Sequence, residues 1–160
     1  MDESLAPIYA IGPAGDPDLD DLVRFNAAMA WETERKELDA ETLRKGVAAV
    51  LARGDRGFYL VARSEGDAGI LGQLLITFEW SDWRNRWFWW IQSVFVEKEW
   101  RGKGIYTALH EKVRAMARER GDVFGIRLYV DEDNRIAQEA YRRLGMETSR
   151  YRLYEEVIPD

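Results

Sequence analysis

The sequence predicts an α/β fold built on a mixed sheet, from three observations. Strand-like and helix-like segments follow one another as strand, two helices, three strands, helix, strand, helix, strand. Residues Trp87 to Val96 are almost uniformly apolar, as a strand covered on both faces should be. That strand runs into glycines, a helix and a further strand, which calls for a right-handed crossover and parallel pairing.

In chain order, Pro7 to Gly12 reads as the first strand, closed by Gly12-Pro13-Ala14-Gly15 and by Asp16-Pro17. Asp18 can cap a helix that carries Leu19, Leu22, Val23 and Phe25 as far as Trp31. An acidic turn follows, Glu32 to Glu37. A second helix begins near Asp39, uses Leu43, Val47, Val50 and Leu51, and stops near Gly54. Phe58 to Arg63 and Ile70 to Phe78 form a hairpin around Ser64 to Gly69, and Trp87 to Val96 is the long strand. After Arg101 to Gly104 a helix carries Ile105, Leu109, Val113 and Met116 and ends at Gly121. Phe124 to Val130 is a strand, Asn134 to Leu144 a helix, and Glu147 to Val157 a last strand. No repeat, linker or low-complexity stretch interrupts the series, so residues 1–160 are expected to form one domain.

Composition narrows the chemistry. Hydrophobic residues are 46% and charged residues 32% of the chain, a globular balance. Without cysteine there is no disulfide, no thiolate metal ligand and no cysteine nucleophile, and a reducing, cytoplasmic setting is expected. The single histidine, His110, falls in a helix with no second ligand near it in sequence, so it reads as a boundary residue and no metal site is expected. A net charge of -6 disfavours nonspecific nucleic-acid binding and fits a cationic small substrate better. No apolar run is long enough to span a membrane, and the acidic segment Met1 to Pro7 lacks the order of a signal peptide.

Two segments carry the chemistry. In Val94 to Leu109 a buried strand ends, glycines follow and a helix begins. The first N–H groups of a helix have no intrahelical partner and its dipole makes that end electropositive. Gly102 and Gly104 let the backbone approach an anion, and Arg101 and Lys103 add positive charge, so the segment can cradle a pyrophosphate. Thr107 stands where a dinucleotide fingerprint needs its third glycine, and no Walker ending exists. A plain glycine turn before a helix would look the same locally. In Asn134 to Met146, Asn134, Ala137 and Tyr141 share one helical stripe: an amide, a gap and a phenol. A slender ligand arm with amide groups could lie along it; equally, Asn134 could be a cap and Tyr141 a core residue.

Together and in this order the two segments resemble the GNAT family of acetyl-coenzyme A-dependent N-acetyltransferases. Its cofactor motif, Arg/Gln-x-x-Gly-x-Gly/Ala, corresponds to Arg101, Gly104 and Tyr106. Its second motif, Asn-x-x-Ala-x-x-x-Tyr-x-x-x-Gly-Phe, corresponds to Asn134, Ala137, Tyr141, Gly145 and Met146. Tyr106 departs from the small final residue of the first motif, with a side chain placed to narrow or reshape the cradle, and Met146 replaces the usual aromatic.

The resemblance implies a centrally splayed sheet flanked by about four helices, and direct attack of an amine on acetyl-CoA. It implies that Val94 and Val96 pair with the pantetheine, with Asn134 and Ala137 also on the cofactor. The pyrophosphate would sit on Arg101, Gly102, Lys103, Gly104, Ile105, Tyr106 and Thr107. Tyr141 matches the general acid: a phenol of pKa about 10 stays protonated beside a thiol of about 8.5. An ammonium is only about one part in a thousand neutral at pH 7, so a base is needed, and Glu79 stands where the family often carries one. Glu32 and Glu34 lie where acceptor-binding residues often sit. Five of the seven tryptophans fall between Trp80 and Trp90. They divide among core, an acceptor pocket that would hold a cation (Trp80 and Trp89 are its candidates) and a homodimer contact. The expected acceptor is a small-molecule primary amine; a protein or peptide N-acetyltransferase and a noncatalytic coenzyme A-binding module are the alternatives.

Overall fold

Two long strands carry the architecture. In the computed structural model, which describes residues 8–66 and 69–160, β3 (Ile70–Ser81) and β4 (Arg86–Val96) pair antiparallel from Gly72↔Val96 to Ser81↔Arg86. Antiparallel pairing adds β2 (Phe58–Ser64) to β3 and β1 (Tyr9–Pro13) to β2. On the other side β5 (Val123–Leu128) joins β4 in parallel, as the crossover required, and the sheet order is β1-β2-β3-β4-β5. The β4–β5 pairing runs only from Trp87↔Val123 to Ile91↔Leu128. Residues 92–96 therefore keep β3 on one edge and have no β5 on the other, which is the splay.

The helices cover both faces. Helices α1 (Leu19–Glu34) and α2 (Ala40–Ala52) bury Leu22, Phe25 and Val47 against Tyr59, Val61, Ile70 and Phe95. Helix α3 (Ile105–Arg120) buries Ile105, Leu109, Val113 and Ala117, spaced four apart, against Leu60, Leu74, Ile76, Trp89 and Ile91. Each fully buried Leu or Ile contributes about 1.5–3 kcal/mol. Gly72 fixes where α3 begins: a Cβ there would lie 3.1 Å from both Ile105 Cγ2 and the Phe95 carbonyl oxygen. Among the described residues no helix is long and apolar enough to cross a membrane.

The chain divides into two compact units, and residues 130–160 form the second. It contains α4 (Arg135–Arg143), capped by the Asn134 side chain, which accepts from the Ala137 N–H at 3.1 Å. At its other end the N–H of Met146 reaches the Tyr141 carbonyl and that of Gly145 the Arg142 carbonyl, with Gly145 at φ 85°. This paired closure explains the glycine of the second motif. The expected strand over Glu147 to Val157 does not form. Among the described residues they pair with no strand, they lie exposed, and strand propensity without a ladder partner does not hold an extended chain.

Three further expectations are corrected. The acidic turn at Glu32 is helix, because α1 continues to Glu34 and stops only at Arg35, in the left-handed region at φ 52°. Asp18 does not cap α1 with its side chain; it accepts from the Gly15 N–H at 2.8 Å and from Arg63 at 2.7 and 2.6 Å, tying the turn before α1 to β2. Pro7 and the segment before it, with Asp67 and Ala68 of the expected hairpin turn, lie outside the described residues.

Burial by itself would raise the Asp18 carboxyl, but the Arg63 and Gly15 hydrogen bonds and the Arg63 charge outweigh it and leave it below its usual value. Its stabilisation is therefore present above the unfolded value near 3.8 and is lost as pH falls through the lower folded value. Asp18→Asn should cost about 2 kcal/mol at neutral pH, less than a fully buried pair because Arg63 remains accessible to screening solvent. Denaturant melts at pH 7 and pH 3 test this: the gap between wild type and variant should be wide at pH 7 and shrink at pH 3.

Candidate functional site

Strand β4 ends in a backbone that faces outward. The Glu97 N–H bonds the Leu71 carbonyl at 2.8 Å, and Phe95 is paired with Gln73. In an antiparallel ladder the intervening residues turn their N–H and C=O groups the other way. Val94 and Val96 therefore point theirs to the side that β5 has left. A cleft of about 250 Å3 opens there, lined by Met29, Glu32 and Thr33 of α1, by Val94, Phe95 and Val96, and by Arg101. Arg101 lies across it, donating from Nε to the Val96 carbonyl at 2.9 Å and from Nη2 to Glu32 Oε2 at 2.8 Å.

The loop beyond turns back on itself. Gly102 and Gly104 hold φ values of 74° and 82°, a region that costs other residues about 1–2 kcal/mol, and Gly104 is the N-cap of α3. The first N–H groups of α3, at Ile105, Tyr106 and Thr107, thus leave a tight glycine bend with no intrahelical partner. Lys103 rests its ammonium 4.7 Å from the Trp100 ring centre. Outward backbone, a cleft and an electropositive helix start fit an elongated ligand with amides at one end and phosphates at the other.

Tyr106 does not lie over this cradle. Its hydroxyl sits 3.4 Å from His110 Nδ1, one turn further along α3, and Arg114 Nη2 lies 3.3 Å from Nε2. A guanidinium only donates, so Nε2 accepts and the ring proton is on Nδ1, facing the phenol. His110 is 1% exposed, not a boundary residue. Burial first, and the Arg114 charge second, lower its pKa, with Glu111 acting weakly against them, so the ring is neutral at pH 7. Arg114 accordingly forms a trio with Tyr106 and His110 on α3.

Glu79 pairs with Phe88, which puts it on the face of the sheet that α1 and α2 partly cover. Its Oε2 accepts from Trp90 Nε1 and from Arg127 Nη1, both at 2.8 Å. Trp90 stacks on Tyr129 with ring centres 4.5 Å apart. Neither of the tryptophans expected as pocket walls stands here. Trp89 is 3% exposed in the α3 core, and Trp80, paired with Trp87 on that same opposite face, packs edge-on against its ring at 4.9 Å. Trp90, Arg127 and Tyr129 are the residues that sequence reading missed; strict alternation from Glu79 across the register would have found Trp90. Glu34 takes no part in the cleft, whereas Glu32 does. In the second unit, Asn134 is occupied as a cap, Ala137 supplies the N–H it accepts, and Tyr141 has its phenol pKa raised by burial.

Comparisons with known proteins agree with this picture. Residues 18–146 match the acetyltransferase (GNAT) family. The crystal structure of a possible acetyltransferase from Clostridium difficile 630 superposes with a TM-score of 0.89 at 39% identity, over 96% of this chain and 99% of that one. An uncharacterized N-acetyltransferase of Methanocaldococcus jannaschii is 42% identical over 57 residues, 36% of this chain but only 25% of that protein's length. A ribosomal-protein-alanine N-acetyltransferase from Brucella melitensis biovar Abortus 2308 shares the fold, with a TM-score of 0.74 at 16% identity over 94% and 99% of the two chains.

Because the Tyr106 phenol packs along α3, Tyr106→Ala should destabilise the protein by about 2 kcal/mol without tightening coenzyme A binding. Melting curves with calorimetric titration of coenzyme A check both; tighter binding by the variant would mean that the phenol obstructs the cradle.

Proposed function

This chain belongs to the acetyltransferase (GNAT) family, whose members use acetyl-CoA as acyl donor, and we propose that it acetylates the primary amine of a small molecule by direct attack. The observation that carries the reading is the open edge of β4 beside the glycine bend. Val94 and Val96 would take the pantetheine amides, and Gly102 to Thr107 the pyrophosphate, with Arg101 and Lys103 supplying charge. Arg101 would release the Val96 carbonyl as the arm enters. Because the family match spans residues 18–146, we take both units to serve one catalytic domain. The lack of cysteine fits a reducing, cytoplasmic setting.

Acetyl-CoA, when bound, supplies the acyl thioester; the chain's residues manage position and protons. Glu79 accepts the proton that the ammonium must lose. Both of its hydrogen bonds go to Oε2, so among the described residues Oε1 is the oxygen left to receive it, directly or through water. Attack would form the C–N bond and break the C–S bond, Tyr141 would give its proton to the departing sulfur, and the second proton shed by the acetylated nitrogen would restore the phenol. Burial raises the Tyr141 pKa above its ordinary value of 10.0, so the phenol keeps its proton throughout the physiological range.

Three measurements test this. Acetyl-CoA at a hundredfold excess over Kd should stabilise the fold by about 2.7 kcal/mol, and NADH should not. Tyr141→Phe should lower kcat about a hundredfold while acetyl-CoA affinity stays within a factor of a few. Glu79→Gln should lower kcat about a hundredfold at neutral pH; unchanged turnover would take Glu79 out of the proton path.

A further inference from the structure

We propose that the acceptor is zwitterionic: a small amine with a carboxylate beside its amino group, as in an α-amino acid, whose two charges are held by Glu79 and Arg127. This rests on the small-amine acetyltransferase reading above and narrows it.

The two residues flank β4 on one face of the sheet. Glu79 stands opposite Phe88 on β3, and Arg127 opposite Trp90 on β5. Over the strand between them the guanidinium donates to Glu79 Oε2 at 2.8 Å. Arg127 is held in place from below, its Cζ 3.5 Å from the centre of the Phe88 ring. That ring lies close over Gly125, where a Cβ would come within 3.1 Å of it. The backbone has thus made room for an aromatic platform under the guanidinium.

The pair is built but not sealed. Side-chain exposures of 33% for Arg127 and 42% for Glu79 leave both within reach of a small molecule. At such exposure an ion pair contributes little to stability. Each partner also has capacity unused by the other: Oε1 on the carboxylate, and several N–H donors on a guanidinium that has five. A simple amine would satisfy Glu79 but leave Arg127 facing a second cation. An ammonium next to a carboxylate pairs both ends and leaves neither charge stranded, which is discrimination by what the wrong ligand would cost. The position is also right for the reaction. Trp90 is the neighbour of Ile91, the last residue of β4 paired with β5, and Tyr129 follows Leu128, its partner. The stacked rings of Trp90 and Tyr129 stand beside the charges at the point where the strands part, a surface for an apolar or aromatic acceptor side chain.

The test compares acceptors that differ only in the carboxylate: phenylalanine with phenethylamine, tryptophan with tryptamine, and methionine with 3-(methylthio)propylamine. Release of the coenzyme A thiol is followed with the full-length protein and acetyl-CoA. The amino acid of at least one pair should show a kcat/KM about tenfold or more above that of its partner. Arg127→Gln should narrow that ratio by raising KM for the amino acid more than it lowers kcat, and should improve the decarboxylated amine by freeing Glu79. A structural role for Arg127 would instead depress both members of a pair alike, and that result overturns the assignment. Preference of the wild type for the decarboxylated amines also overturns it while leaving the small-amine reading intact, and needs no variant. Turnover of peptide N-termini or lysines with none of the small acceptors overturns both.

Discussion

A strand cannot leave one edge of its backbone unpaired beside an apolar cleft without giving those groups another partner, and β4 is organised around that rule. Its pairing with β3 continues to Val96 while its pairing with β5 stops at Ile91. The outward groups of Val94 and Val96 are the result, and the rest of the site answers to them. Arg101 reaches back to the Val96 carbonyl, and Glu32 at the end of α1 balances the guanidinium. A carboxylate in the last turn of a helix opposes the helix dipole, and the Arg101 guanidinium offsets part of that charge. The turn at Lys98–Trp100 returns Arg101 to the strand, the loop beyond it takes left-handed backbone at Gly102 and Gly104, and the start of α3 is seated by the missing side chain at Gly72.

The second determinant is the pleat. Alternation places Glu79, Phe88, Trp90 and Arg127 on one face and Trp80, Trp87 and Trp89 on the other, so neighbouring tryptophans serve unrelated purposes. Trp89 fills the core under α3, whereas Trp90 spends its indole N–H on a carboxylate. The register shift between Leu75 and Ile76 sets Gln92 aside as an extra residue and reverses this alternation for the last part of β4. That reversal is why Phe95 packs under α1 while Trp89 and Ile91 pack under α3.

Much of the fold was legible because its signals are local. The caps at Asp39 and Asn134, the stop at Gly121, the apolar spacing of α3 and the unbroken apolar run of β4 each state their structure within a few residues. The glycine bend was legible for the same reason. What could not be read depends on partners far apart in sequence. Asp18 looks like a helix cap until Arg63, 45 residues on, takes both carboxylate oxygens. Glu32 reads as part of an acidic turn until Arg101 arrives from 69 residues away. Tyr106 looked like an obstruction because its neighbours in the motif line the cradle, yet the i, i+4 relation to His110 was there to be noticed. The last strand failed for the converse reason: Tyr151, Leu153 and Tyr154 have strand propensity, and a strand needs a ladder.

The exposed edge of β4 has a consequence for the company this protein keeps. A bare run of strand is a template on which an unrelated chain, or a second copy, can continue the sheet, and natural proteins discourage this with long charged side chains laid along the edge. Arg101 does so here. While it spans from the Val96 carbonyl to Glu32, a would-be intruding strand meets a guanidinium instead of a free acceptor. The same arginine is thereby a guard against aggregation whenever the cleft stands empty, and that duty disfavours any small neutral replacement at position 101.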